Sequence, residues 1–203
     1  MSKRHALEFK FTELAQTDIR WPTKGDKAFT EAANPEENAT ISEDEFTRLV
    51  LMTDGYKLAG DALVEQAAES PSDRAMLVFP VLFNYRHFLE LSLKYQLATH
   101  GPVVGIEANW TSHDLGRLWL AFVQMLEHYG TQDPDAADPI VGEIILEFSK
   151  IDPDSYSNRY PVDRKGIPVP VSKAALDLAN LADVMGAVDG YFSGCDGYLS
   201  NCR

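Results

Sequence analysis

The chain has 203 residues, of which 45% are hydrophobic and 24% are charged. This length and composition suit one globular domain with a single core and an appended arm. The net charge of −13 argues against broad coating of nucleic acid, because an acidic surface repels phosphates at long range. A local basic site on such a protein is still compatible with this charge.

The same composition sets expectations about location. No run of 18 or more apolar residues occurs, so we expect no membrane span. The first ten residues include basic side chains but no apolar segment behind them, so we expect no secretory signal. Cys195 and Cys202 are seven positions apart, about 10 Å along a helix, which is too far for a mutual disulfide. Reduced thiols and a cytoplasmic location are therefore expected.

Residues 1–42 are predicted to form an N-terminal arm. Within it, residues 7–12 alternate apolar and polar side chains, as in a short strand. The sequence from Trp21 to Gly25 contains a proline and a glycine, which predicts a turn. Residues 31–41 are rich in glutamate and asparagine and indicate an acidic loop.

Residues 43–203 are predicted to form an all-α bundle of five helices, arranged antiparallel and up-and-down because most of the connections are short. Capping patterns at Ser42, Ser72, Thr111 and Ser172 mark the helix starts. Glycines at 101 and 130 mark the ends of the second and third helices. The predicted helices span residues 43–69, 73–99, 112–129, 137–150 and 173–201, and a loop rich in proline, glycine and aspartate covers 152–171.

The helical faces predict a core. The first helix has an apolar face that includes Phe46, Met52 and Leu58. The second is apolar nearly all round and contains Pro80, which predicts a kink or a local irregularity. Ile140 in the fourth helix is expected to point inward, as are the apolar residues of the fifth.

The second helix also carries an unusual charged arc, formed by Arg86, His87, Glu90 and Lys94. At about 100° per residue, these four side chains fall within roughly 100° of one another. Two interpretations follow. Either the helix leaves the core there and the charges form ion pairs on a solvated half-turn, or the charges line a polar cleft within the bundle.

Three landmarks occur in order along the chain: Phe88–Lys94 (FLELSLK), His113–Trp119 (HDLGRLW) and Asn158–Pro161 (NRYP). In this order, and with this number of helices, residues 43–202 resemble the HEPN domain. The resemblance implies a bundle of four to five helices that pairs as a two-fold homodimer. It also implies a setting in toxin–antitoxin or phage-defence systems, where many HEPN proteins are metal-independent endoribonucleases.

The chain departs from the catalytic signature of that family, which is an arginine followed after four to six residues by a histidine. None of the nine arginines has a histidine five to seven positions later, and Arg86 is followed at once by His87. The usual ribonuclease centre is therefore absent or rebuilt. The family's catalytic roles do not transfer to this chain.

If the chain cleaves RNA, we expect Arg86, His87 and Glu90 to form the catalytic group. His87 would act as the base for the 2′-hydroxyl, and Arg86 would stabilise the scissile phosphate. His113, in the first predicted turn of the third helix, is a further candidate near the phosphate, because the helix dipole favours a neutral imidazole there. The alternative is that His113 only holds the helix start by a hydrogen bond.

A basic and aromatic cluster in the long loop is the candidate substrate site. It contains Arg159, Tyr160, Arg164 and Lys165, to which Lys94 of the charged arc is added as a phosphate ligand. Arginine beside an aromatic ring suits phosphate binding and base stacking. The alternative is that Arg159 forms a structural salt bridge to an acidic helix.

We expect no metal and no cofactor, because no histidines or cysteines have ligand spacing and no glycine-rich phosphate loop is present. Two hypotheses remain. In the first, the chain is a HEPN-like endoribonuclease or RNA- or nucleotide-binding protein, with a cognate antitoxin or other partner protein. In the second, it is a non-catalytic dimeric interaction module or small-ligand-binding module without ribonuclease activity.

Overall fold

A computed structural model of the chain describes residues 20–133, 135–152, 159–162, 165–168 and 173–202. These residues contain five α-helices and no strand, so the predicted all-α bundle is confirmed. The predicted strand at residues 7–12 lies outside the described residues. The helices are α1 (Glu45–Ala68), α2 (Pro71–His100), α3 (Leu115–Tyr129), α4 (Ala137–Ile151) and α5 (Leu178–Ser200).

The chain divides into two compact units, residues 1–41 and residues 42–203. In the first unit the predicted turn is present, since the amide of Asp26 donates to the carbonyl of Thr23 at 3.1 Å and Gly25 has a φ of 104°. The acidic segment contains a short 3₁₀ helix over Pro35–Glu37, and the Asn34 side chain caps it.

The helices begin at caps other than those predicted. Asp44, rather than Ser42, caps α1 by accepting from the amide of Thr47 at 2.7 Å. Ser70 rather than Ser72 caps α2, with Pro71 at the first helical position. Asp114 rather than Thr111 caps α3. In each case the capping side chain is the one adjacent to the first helical residue, since only that one reaches the free amides of the first turn.

The last helix is shorter than predicted. It begins at Leu178, and Asp177 caps it by accepting from the amide of Asn180 at 3.0 Å. The predicted cap, Ser172, lies outside the described residues. Helix ends at glycine were predicted well: Gly130 takes the left-handed conformation, with a φ of 68°, and α2 gives way at Gly101 to a short 3₁₀ helix.

The second helix is the centre of the bundle. It contacts α1, α3 and α5, and α3 in turn packs on α4. Its 30 residues run without interruption through Pro80, and the Asn84 side chain donates to the carbonyl of Pro80 at 2.7 Å. Most side chains from Val81 onward are buried. A helix surrounded by others explains why this sequence is apolar on every side.

Some predicted core positions are exposed. Phe46, Met52 and Leu58 on α1 were expected to face inward, yet Leu58 is 70% exposed, and only Gly60 and Ala67 of this helix are buried. Ile140 of α4 is also exposed. The apolar residues of α1 extend more than halfway round the helix, whereas α2 and α5 cover only part of that circumference. The prediction that all of these side chains enter the core was wrong.

A close helix contact gives a testable prediction. A Cβ atom built on Gly142 of α4 would lie 2.8 Å from Nε1 of Trp119, whereas one built on Gly186 of α5 meets nothing within 4 Å. Gly142→Ala is therefore expected to lower the free energy of unfolding by about 1–3 kcal/mol through overpacking. Gly186→Ala is expected to raise it by up to about 1 kcal/mol, since alanine favours the helix. Urea unfolding of both variants measures the difference, and two changes of the same sign would contradict the described packing.

Candidate functional site

The charged arc of α2 lies inside the protein. Arg86, Glu90 and Lys94 are four residues apart, so helical geometry places them in one row along the helix. Arg86 is fully buried at 0% exposure, and Glu90 and Lys94 are buried as well. Burial of three charged side chains is unusual and requires that each be paired.

Arg86 connects three parts of the bundle. Its Nη1 donates to Glu90 Oε2 at 3.1 Å on the same helix. Its Nε donates to the carbonyl oxygen of Asp152 at 2.9 Å, just after the end of α4, with the Asp152 carboxylate 3.8 Å away. Its Nη2 donates to the carbonyl of His113 at 2.7 Å, just before α3. The guanidinium thus links α2 to the end of α4 and to the start of α3.

Glu90 is the shared acceptor of this network. Its Oε1 accepts from Lys94 Nζ at 2.8 Å and from His113 Nδ1 at 2.9 Å, while its Oε2 accepts from Arg86. Burial alone would raise the pKa of Glu90, but the hydrogen bonds from Lys94 and His113 outweigh it, so the pKa lies below its usual value. Glu90 is consequently a carboxylate at neutral pH. We call Arg86, Glu90, Lys94, His113 and Asp152 the Glu90 network.

Neither of the two sequence interpretations describes this network fully. The i,i+4 ion pairs of Arg86–Glu90 and Glu90–Lys94 are present, but they are buried rather than solvated. The charges line no open cleft either, since they bind each other and nearby carbonyl oxygens, including that of Trp110 at 3.2 Å from Lys94 Nζ. This geometry suits a structural role, in which the network holds the helices in place. A phosphate could reach Arg86 only if these hydrogen bonds were broken.

A second group of predicted site residues surrounds Phe83, one turn before the network. The imidazole of His87 stacks on the Phe83 ring, with centroids 5.8 Å apart and planes 7° apart. The guanidinium of Arg159 lies 5.9 Å from the same ring and 6.0 Å from the ring of Tyr160. Tyr56 of α1 meets the His87 imidazole edge-on at 4.3 Å. We call these five side chains the Phe83 cluster.

The state of His87 follows from this environment. Burial lowers the pKa of His87, the nearby Glu90 opposes that shift, and Lys94 and Arg86 reinforce it. His87 is therefore a neutral imidazole at pH 7, the form that can accept a proton. The Phe83 cluster combines a neutral imidazole, a guanidinium and aromatic faces in one place.

The predicted site residues thus separate into two groups. Arg86, Glu90, Lys94 and His113 meet in the Glu90 network, whereas His87, Arg159 and Tyr160 meet at Phe83. His113 precedes the helix start, and its side chain is 61% exposed, so it forms the solvent-facing end of the network. Lys165 is exposed in the described part of the loop, and Arg164 lies outside the described residues.

Two residues of these groups were not predicted from the sequence. Asp152 was assigned to the start of a loop, although it is fully buried and carries the acceptor for Arg86 Nε. Phe83 was not singled out from the sequence, although both His87 and Arg159 lie against its ring. The spacing of Phe83 and His87, four residues apart on one helix, was the available signal for their stacking.

Among the described residues, no group of three or more histidine, cysteine, aspartate or glutamate side chains is arranged to hold a metal ion. None of the described helices is both long enough and apolar enough to cross a bilayer.

Comparison of the chain with protein-family models, with curated proteins and with solved structures finds no match. The resemblance to HEPN domains therefore stays a prediction that is based on the three sequence landmarks and their order.

The Glu90 network predicts that two arginines contribute very differently to the free energy of unfolding. Arg86→Met leaves Glu90 buried beside fewer donors, so it is expected to lower the free energy of unfolding by about 3–5 kcal/mol. The control, Arg117→Met, removes an ion pair to Asp114 in which the arginine side chain is 82% exposed, and it should cost less than about 1 kcal/mol. Urea unfolding at pH 7 measures both values. If both variants lowered the free energy of unfolding equally, the Glu90 network would not stabilise the bundle.

Proposed function

We propose that this chain is a HEPN-like protein that binds single-stranded RNA or a nucleotide at the Phe83 cluster. The observation that carries the proposal is the contact of both His87 and Arg159 with one phenylalanine ring. Aromatic faces bind unpaired bases by stacking, and a guanidinium next to them binds the phosphate. The exposed ring of Tyr160 extends the stacking surface.

The charge of the protein is compatible with this proposal. An acidic surface does not attract RNA at long range, so the affinity must come from close contacts at a small site. A single-stranded segment suits such a site better than a duplex, because unstacked bases expose the faces that aromatic side chains bind.

The proposal assigns different roles to the two neighbouring residues of α2. Arg86 holds the bundle together and does not contact the ligand. His87, which is neutral, is the residue that could accept the proton of a 2′-hydroxyl, with Arg159 stabilising the negative charge that develops at the phosphate. If the protein cleaves RNA, the catalytic pair is therefore His87 and Arg159 rather than His87 and Arg86. The family resemblance would then place it in the cytoplasm with a cognate antitoxin or another partner.

Binding of a labelled single-stranded RNA in EDTA, followed by fluorescence anisotropy, tests this proposal. Arg159→Ala is expected to weaken binding by about tenfold or more, since it removes a charge-assisted contact. Arg117→Ala removes the same charge from an exposed position on α3 and should change the affinity by less than about twofold. Equal weakening by both variants would show that only general charge matters.

The same samples separate binding from cleavage. If the wild-type protein yields RNA fragments in EDTA, His87→Ala should abolish them while Arg117→Ala leaves them unchanged. Cleavage that persists in His87→Ala would disprove the base role, and absence of both binding and cleavage in the wild type would disprove the proposed function.

The exposed apolar face of α1 favours a second candidate, a non-catalytic dimeric interaction module. A groove of about 570 Å³ is lined by Phe46, Leu49 and Met52 of α1, by Leu91 and Ala98 of α2, and by Trp110, together with the charged side chains of Glu45 and Arg48. Large apolar side chains grouped at the surface of a protein typically mark a contact with another protein. The two-fold pairing that the family resemblance implies makes a second copy of this chain the expected occupant.

Light scattering tests this pairing. A wild-type dimer would have twice the chain mass of 22.6 kDa, and Met52→Asp, which puts a charge in the groove, should return the single-chain mass. Leu120→Asp alters an apolar side chain of α3 that is 62% exposed and does not line the groove, so it should stay dimeric. A single-chain mass for the wild-type protein would rule out this face as a stable dimer interface.

A further inference from the structure

The exposed imidazole of His113 is held by a buried carboxylate. Its Nδ1 lies 2.9 Å from Glu90 Oε1, and the His113 side chain is 61% exposed whereas that of Glu90 is 2% exposed. Because Glu90 is a carboxylate at neutral pH, it only accepts hydrogen bonds, so Nδ1 carries a proton. The hydrogen bond therefore fixes the orientation of the ring and leaves Nε2 as the nitrogen that is available for chemistry.

Both the ring and the backbone of His113 are anchored to α2. The carbonyl of His113 accepts from Arg86 Nη2 at 2.7 Å, and its Nδ1 donates to Glu90. Its Nε2, in contrast, forms no hydrogen bond with any residue that the structure describes. A side chain that is exposed to solvent but held at two points is pre-organised, as a group that transfers a proton to a ligand must be.

The other histidine of interest, His87, lies close to the first. It precedes Glu90 by three residues on α2, so helical geometry places these two side chains on neighbouring positions. Burial is the main cause of the lowered pKa of His87, and the charge of His113 is one of the smaller causes, which requires the two imidazoles to be near each other. His87 and His113 are therefore both neighbours of Glu90, one on the same helix and the other just before α3.

Cleavage of RNA without a metal ion needs two proton transfers. A base takes the proton of the 2′-hydroxyl, the 2′-oxygen forms a bond to phosphorus, and the bond from phosphorus to the 5′-oxygen breaks, which leaves a 2′,3′-cyclic phosphate. The 5′-oxygen leaves readily only if an acid protonates it. The proposed function supplies a base in His87 and a cation in Arg159, but it supplies no acid.

We propose that His113 is this acid, and that its Nε2–H protonates the 5′-oxygen of the leaving nucleotide. The inference rests on the proposed binding of RNA at the Phe83 cluster. Each cleavage leaves the proton of the 2′-hydroxyl on His87 and removes one proton from His113, and exchange with water restores both histidines. Glu90 is a positioning residue in this scheme, since it contacts the acid and not the RNA.

The cations of the Glu90 network are less suited to this role. Lys94 is buried, and its Nζ is engaged by Glu90 Oε1 and by the carbonyl of Trp110. Arg86 is fully buried, and a guanidinium does not release its proton in proteins. His113 is the exposed member of the network, so its ring can reach a bound nucleotide while these hydrogen bonds stay intact.

An RNA with a better leaving group tests the acid role. In a single-stranded RNA whose bridging 5′-oxygen is replaced by sulfur at one position, the leaving thiolate needs no acid, because a thiol gives up its proton far more readily than an alcohol. His113→Asn keeps an N–H donor for Glu90 but removes Nε2. It is expected to slow cleavage of ordinary RNA in EDTA by about 100-fold, yet to cleave the sulfur-containing RNA within about threefold of the wild-type rate.

Two further variants complete this experiment. His87→Asn should slow cleavage of both RNAs by about 100-fold, because each of them still needs the base. The matched control is His128→Asn, which removes an exposed histidine of α3 whose Nδ1 contacts a backbone carbonyl instead of a carboxylate. It should cleave both RNAs within about twofold of the wild-type rate, since it lies outside the proposed acid–base pair. His113→Gln gives an independent answer if His113→Asn fails to fold.

The outcomes separate the acid role from the proposed function. Equal loss of activity on both RNAs in folded His113 variants, or cleavage of ordinary RNA by them at the wild-type rate, would show that His113 is not the acid. A wild-type protein that binds RNA but cleaves neither substrate would overturn the acid role and leave binding at the Phe83 cluster intact. A wild-type protein that neither binds nor cleaves RNA would overturn the proposed function as well.

Discussion

The bundle depends on one buried carboxylate. Glu90 accepts hydrogen bonds from Arg86, Lys94 and His113, and Arg86 in turn binds the carbonyl oxygens at Asp152 and His113. Three helices are thereby fixed relative to one another at the site where α3 begins and α4 ends. Charges taken out of water are costly unless all of them are paired, so each member of the network requires the others.

This constraint decides which residues are available for chemistry. A guanidinium fully engaged in the interior supports the fold, whereas the next residue, His87, is half-buried and stacks on Phe83. The arginine beside this histidine is occupied by Glu90. The cation that accompanies His87 comes instead from Arg159 in the long loop.

Charge and apolar surface are unevenly distributed around the bundle. A cavity between α1, α2 and α5 is lined by acidic and aromatic side chains, the Phe83 cluster holds a guanidinium and an imidazole, and α1 leaves a row of large apolar side chains exposed. Each of these three surfaces contains residues of α1 or α2, the two longest of the described helices.

The number of helices and most of their ends follow from local sequence. Apolar periodicity, the glycines at 101 and 130 and the proline at 71 specify them through backbone geometry, which depends on few neighbours. The caps were predicted two to five residues away from their true positions. Several serine, threonine and aspartate side chains compete near each start, and only the final geometry of the first turn selects one.

The sequence by itself determined that this protein is an all-α bundle whose second helix is both apolar and charged. Only the tertiary structure decided that Glu90 and its partners are buried and paired, that Asp152 closes the network, and that His87 and Arg159 meet at Phe83. The reason is that helical periodicity gives the side of a helix on which a residue lies, but not what covers that side. Whether a charged row faces water or another part of the chain depends on contacts between residues far apart in sequence.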